Sequence, residues 1–213
     1  MLQIIVQGRG GQGAQTAGNL LAQAYFELGR EVQAFASYGG ARRGTPVSSF
    51  IRVDERPIRL RCDIEQADAI LCFDATLLEG RLLAAAQSHT LVVVNSARER
   101  AHWQAALPGL RVMPVDGIGL SREAGLGRIV NSALLGALAA ALGDLPLPAL
   151  CSLLERRSPR LPQQNVHACT AGYERVRAAM AEQQGPGDAA PAMRAAAAAP
   201  SVQPPAGRQE ARA

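Results

Sequence analysis

The stretch that most constrains the fold is "LQIIVQGRGGQGAQTAGNLLAQAYFELG", Leu2 to Gly29. Its opening, Leu2 to Val6, is a short apolar run of the kind that forms a buried strand. Gly8, Gly10, Gly11 and Gly13 follow, and a turn this rich in glycine lets something come very close to the backbone. From Ala14 to Leu28 apolar residues recur at helical spacing (Ala17, Leu20, Leu21, Ala24, Leu28), and Gly29 stands where a helix C-cap belongs. Val32 to Ala36 reads as a second strand. A strand–turn–helix–strand unit of this kind implies an α/β fold with a mainly parallel sheet.

The rest of the chain extends that pattern. "SYGGARRGTP", Ser37 to Pro46, is a second glycine-rich loop carrying Arg42 and Arg43. "VSSFIRV", Val47 to Val53, alternates like a half-exposed strand, and "DERP" is expected to turn it into another at Ile58 to Leu60. Further strands are expected at Ala69 to Phe73, Thr90 to Val94 and Arg111 to Val115. Asp74, Asn95 and Asp116 come just past their carboxyl ends, where open α/β sheets place ligands or cap the next helix. For Asp74 the pattern favours a cap on a helix starting at Ala75 over a titrating role. Gly127 to Leu142 reads as a helix apolar nearly all round, which must lie in the core or under a partner chain. Pro146 to Arg157 and Gln163 to Met180 read as two more helices. The organisation expected is one Rossmann-like domain over residues 1–180 and a disordered Ala/Pro-rich tail over 181–213.

Composition removes several function classes. The 213 residues, 48% of them hydrophobic, suffice for one core. All 22 basic residues are arginine, so there is no lysine for a Schiff base or a Walker-type phosphate loop. A net charge of +4 with 4% aromatic residues offers no stacking platform for nucleic acid. Cys62, Cys72, Cys151 and Cys169 lack metal-type spacing and are expected as small hydrophobes in a reducing cytosol. No iron–sulfur cluster is therefore expected on this chain. His89, His102 and His167 read as surface or capping residues, and Ser48 and Ser49 lack a nucleophile elbow. Because the sequence opens on a strand-like run, no secretory leader is expected, and Ser132 to Leu142 is too short to span a bilayer. A cytoplasmic protein with no membrane or nucleic-acid partner is expected.

Gly8, Gly10 and Gly13 satisfy G-x-G-x-x-G between a strand and a helix, the context of a dinucleotide fingerprint. The second half of that signature, an acidic residue closing the second strand, is absent, because Phe35-Ala36-Ser37 stands there. Three uses of the loop stay open: a dinucleotide, the phosphate of another ligand, or close packing of strand and helix. Arg9 and the Arg42–Arg43 pair would suit phosphate or carboxylate, or a surface salt bridge.

"GRGGQGAQTAGNLLAQAYFELG", "SYGGARRGTPVSSFIRV", "RPI", "ADAILCFD" and "GRIVNSALLGAL" together resemble the gamma subunit of the 2-oxoacid:acceptor oxidoreductases. The likeness runs from Leu2 to Arg177 and includes Gly172-Tyr173-Glu174. It implies a Rossmann-like subunit, not catalytic alone, of a complex that oxidatively decarboxylates a 2-oxoacid, usually to acyl-CoA, with electrons passed to ferredoxin or a similar acceptor. It also implies that thiamine diphosphate, Mg and the catalytic residues lie in alpha and beta subunits. Iron–sulfur clusters would lie in the beta subunit and a ferredoxin-like delta subunit. This chain would serve assembly and help hold coenzyme A, through Gly8, Arg9, Gly10, Gly11, Gln12, Gly13 and Arg43, the last aligning with the family's loop arginine. Ala41 and Thr45 depart from the glutamate and final glycine usual in that loop. The competing function is a stand-alone nucleotide- or flavin-binding oxidoreductase of Rossmann type, and a scaffold without a ligand is a third.

Overall fold

The computed structural model describes residues 1–40 and 44–183. Six strands, β1 (Leu2–Arg9), β2 (Glu31–Tyr38), β3 (Pro46–Asp54), β4 (Ala67–Cys72), β5 (Ala86–Asn95) and β6 (Arg111–Val115), form one sheet in the order β2-β3-β1-β4-β5-β6. β1, β4, β5 and β6 pair in parallel, whereas β3 runs antiparallel to both β1 and β2. The helices are α1 (Ala14–Glu27), α2 (Gly80–Ala84), α3 (Arg100–Ala106), α4 (Gly117–Glu123), α5 (Asn131–Leu142), α6 (Leu147–Arg157) and α7 (Pro162–Gln183). A 3-10 turn spans Ala75–Leu77.

Side chains alternate across the pleat, so each strand feeds two cores. Ile4, Val6, Leu71 and Val93 point to the face covered by α1, α4, α5, α6 and α7. Ile5, Ile70, Val92 and Val112 point to the other, thinner face, under Ile64, Leu77, Leu82 and Trp103. Strands buried on both faces read as continuous apolar runs, and that is why "TLVVV" and "AILC" look as they do.

The apolar helix expected from Gly127 begins four residues later, at Asn131, and is core: every residue from Ser132 to Ala140 is buried. It crosses α7 at backbone contact distance. A Cβ on Gly136 would fall on the Cys169 carbonyl, and one on Gly172 would fall on the Ala133 carbonyl. Two glycines on facing helices thus let the backbones touch.

Other expectations need correction. Ile58 to Leu60 is not a strand. Arg52, 1% exposed on β3, bonds Gln3 Oε1 and Gln33 Oε1 and donates to the Asp63 carbonyl at 3.2 Å. The segment after β3 is thereby drawn across the sheet face instead of along its edge. Cys62 is exposed rather than a core hydrophobe, its sulfur 3.7 Å from Arg52 Nη2. Helix α7 continues to Gln183, and from residue 184 the expected tail lies outside the described residues.

Candidate functional site

The glycine-rich loop leaves the carboxyl end of β1 at the point where the sheet's order reverses. From β1 the chain moves outward to β2, whereas from β4, the neighbour on the other side, it continues to β5 and β6. Such a switch point is where open α/β sheets open a crevice for ligands.

Each glycine of the loop has a local physical reason. At Gly8 an added Cβ would lie 3.1 Å from Phe73 Cβ and 3.2 Å from Ala14 Cβ, so β1, β4 and α1 converge there without room for a side chain. Gly11 and Gly13 have φ of 96° and 85°, backbone that other residues adopt only at a cost. A Cβ on Gly13 would also strike the Asn131 amide, which donates to the Gly13 carbonyl at 3.3 Å. Gly10 is stitched to the second loop in both directions, its N–H to the Thr45 carbonyl at 2.8 Å and its carbonyl to the Gly44 N–H at 3.3 Å. Thr45, where the family pattern has glycine, donates its hydroxyl to the Gly40 carbonyl at 3.2 Å and closes that loop. Gly18 adds a second place of close helix–strand packing, seated against Ser49 of β3.

Arg9 is held within the chain. Its Nε donates to Asp74 Oδ2 at 2.8 Å, Nη2 to Thr76 Oγ1 at 2.7 Å and Nη1 to the Gly44 carbonyl at 3.3 Å. Asp74 also accepts from the Thr76 N–H at 3.0 Å, the cap expected for the turn at Ala75. Burial alone would raise the Asp74 pKa, but the bonds from Thr76 and Arg9 outweigh it and hold the carboxyl below its usual range. Gln12 also faces inward, its side-chain oxygen accepting from the Arg9 N–H at 2.7 Å. Asn95 spans structure rather than ligand, donating to the Phe73 carbonyl and accepting from the Gly117 N–H, both at 3.0 Å. Arg43 and Arg42 lie outside the described residues, although Gly44, next in sequence to Arg43, is bonded to Gly10.

The loop separates two cavities. One, of about 880 Å³, is lined by Arg9, Gly10, Gly13, Gln15, Thr16 and Tyr38 among others, and none of its described lining residues is acidic. The other, of about 680 Å³, lies over the ends of β4 and β5, beside Asn95, Arg128 and Asn131. Helix α1 opens onto the first cavity from Gly13 without a side-chain cap. Its leading N–H groups and partial positive charge therefore face open space. Sequence reasoning did not single out Tyr38, Gln15 or Thr16 as lining residues. Tyr38 was visible in the Tyr-Gly pair of the second loop, and the other two only as the first turn of α1.

The geometry argues against a dinucleotide in the usual Rossmann manner. There β1 and β2 are neighbours, and the acid closing β2 reaches the ribose bound over β1. Here β3 lies between them, Gly8 pairing with Val47, and β2 ends at Tyr38 without a carboxylate.

Fold and site thus define a Rossmann-like α/β layer whose glycine loop closes on a second loop across an inserted antiparallel strand. Residues 3–175 match the pyruvate ferredoxin/flavodoxin oxidoreductase family, and the chain belongs to that family. It is 35% identical over 183 residues to the common gamma subunit of the pyruvate/ketoisovalerate oxidoreductases of Thermococcus kodakarensis, covering 83% of this chain and 97% of that one. Among solved structures it resembles the pyruvate oxidoreductase subunit PORC of Thermotoga maritima, at 30% identity and a TM-score of 0.71 over 81% of this chain and 95% of the other. The fold also recurs in the 2-oxoglutarate:ferredoxin oxidoreductase of Magnetococcus marinus, solved with 2-oxoglutarate, coenzyme A and succinyl-CoA. That match has 22% identity, a TM-score of 0.70 and covers 83% of this chain and 31% of the other. Among the described residues no helix is long and apolar enough to cross a membrane.

Proposed function

We propose that this chain is the gamma subunit of a thiamine-diphosphate-dependent 2-oxoacid:acceptor oxidoreductase and contributes assembly and part of the coenzyme A site. Alpha and beta subunits would supply thiamine diphosphate, Mg and the catalytic groups, and a ferredoxin-like delta subunit would pass electrons outward. Membership of the family and the gamma subunits among its relatives support the first part.

The single observation that carries the coenzyme A reading is the uncapped start of α1 on a cavity of about 880 Å³ with no acidic residue in its described lining. Phosphates are drawn to such a helix end, where N–H donors and the helix dipole act together. The N–H groups from Gly13 to Thr16 would receive the phosphates, and Arg43 would add a full positive charge. Tyr38, 56% exposed at the cavity wall, offers an aromatic face to the base. Arg9, committed to Asp74, would hold the loop's shape rather than touch the ligand. When bound, coenzyme A supplies the thiol that accepts the acyl group.

Co-purification tests the assembly reading. A tagged chain expressed with its genomic neighbours should retain large partners carrying thiamine and iron–sulfur absorbance. A chain that purifies alone, with bound nucleotide or flavin, would establish the stand-alone Rossmann enzyme instead.

A further inference from the structure

Among the described residues, Arg52 and Arg100 each carry guanidinium nitrogens shielded from solvent, and they meet opposite fates. Arg52 is satisfied entirely from within the chain, by Gln3, Gln33, Cys62 and the Asp63 carbonyl. Arg100, at the start of α3, is not. Its Nε and Nη1 are shielded from solvent and meet no hydrogen-bond partner among the described residues. A buried charge without a partner is strongly disfavoured, so a group from outside this set of residues is called for.

The place is built to admit one. Arg100 lines a cavity of about 610 Å³ between α3, the end of β6 and the last turns of α7. Buried Met113 and Val115 and exposed Arg98 and Arg175 also line it. The residue as a whole is only partly buried, and Nη2 is not among its shielded atoms, so the guanidinium meets the cavity through that nitrogen. Carboxylates are present too, but they are not partners for Arg100. Asp116 is engaged by the Gly119 N–H at 2.9 Å, and neither Glu99 nor Glu182 pairs with any arginine here among the described residues. Arg98 is turned toward His102, Nη1 to Nε2 at 2.9 Å.

We propose that this cavity is an oxyanion site, separate from the glycine loop, in which Arg100 receives a phosphate or carboxylate group. An oxyanion in the cavity meets Nη2, and because Nε lies on the same edge of the guanidinium, a small turn of the side chain brings both N–H groups onto the one acceptor. The group has two sources, a free solute or an acidic side chain of a partner subunit, and both present the same chemistry.

The test titrates inorganic phosphate into the full-length chain, with chloride at matched ionic strength as control, and follows binding by calorimetry and the thermal midpoint. Arg43→Ala is included so that phosphate held at the glycine loop is counted apart. Arg100→Gln should weaken the phosphate binding that survives in Arg43→Ala by about ten-fold or more. Arg100→Lys, which keeps the charge but loses the planar edge, should retain the fold with intermediate binding. If a partner side chain fills the site, the assembled complex should ignore phosphate while Arg100→Gln loosens subunit retention on gel filtration. Phosphate binding and assembly both unchanged in Arg100→Gln would overturn the proposal, whatever the outcome at the glycine loop.

Discussion

Arg9 of the first loop and Asp74 at the end of β4 face each other across the switch point, Nε to Oδ2 at 2.8 Å. The pair ties the glycine loop to the neighbouring strand, while Arg9 also reaches the second loop through the Gly44 carbonyl. Loop shape at the candidate site is therefore held by this partly exposed ion pair together with side-chain bonds from Gln12, Thr76 and Asn131 and backbone bonds to Gly44 and Thr45.

Removing that carboxylate with Asp74→Asn should cost about 1 kcal/mol at neutral pH, the scale of a partly exposed pair. The folded Asp74 pKa lies below its unfolded value, so its contribution is fully present above the unfolded pKa, near 4. It is lost as pH falls through the lower folded pKa. Urea unfolding of both proteins from pH 7 downward should show the gap closing below about pH 4. A gap that persists or widens there would show that Asp74 acts by something other than its charge.

The crossing of α5 and α7 should tolerate no side chain at its centre. Because Gly136 and Gly172 each meet a carbonyl of the opposite helix, Gly136→Ala or Gly172→Ala should cost on the order of 1–3 kcal/mol and Gly136→Leu more. Chemical denaturation at constant m-value measures it. Wild-type stability in both alanine variants would mean that the helices separate freely.

Arg52→Leu should cost about 1–3 kcal/mol, because it strands the neutral acceptors of Gln3, Gln33 and the Asp63 carbonyl that now hold the guanidinium. The segment near Cys62 should loosen first, and faster alkylation of Cys62 reports it. Unchanged labelling would show that this segment is held by other contacts.

How much of this was legible beforehand depends on how far each feature relies on local sequence. Strand β6 and the core of α1 announce themselves by apolar periodicity, and α5 by its run of small and large apolar residues. The strand expected at Ile58 to Leu60 fails because Arg52, buried on the sheet face, holds the Asp63 carbonyl and outcompetes the hairpin turn expected at "DERP". Helices α2, α3 and α4 span five, seven and seven residues, too short for a 3.6-residue period to declare itself. The Gly8–Gly13 loop was visible as a loop. Its partners were not, since Thr45 reaches Gly10, Asp74 reaches Arg9 and Asn131 reaches Gly13 from 35, 65 and 118 positions away in the chain. The insertion of β3 between β1 and β2 was equally hidden, because pairing partners follow from the whole sheet and not from either strand alone.

The most direct test is steady-state kinetics of the assembled complex, with coenzyme A and the 2-oxoacid varied separately. Losing one charge-assisted phosphate contact costs roughly 1.5–3 kcal/mol. Arg43→Ala should therefore raise the KM for coenzyme A about ten- to hundred-fold and leave that for the 2-oxoacid nearly unchanged. Gly10→Val should do more, since a side chain there disturbs the bonds to Gly44 and Thr45 as well as the approach of a ligand. If the complex assembles normally and neither constant moves in Arg43→Ala and Gly10→Val, the loop is a packing device alone and the coenzyme A site lies elsewhere.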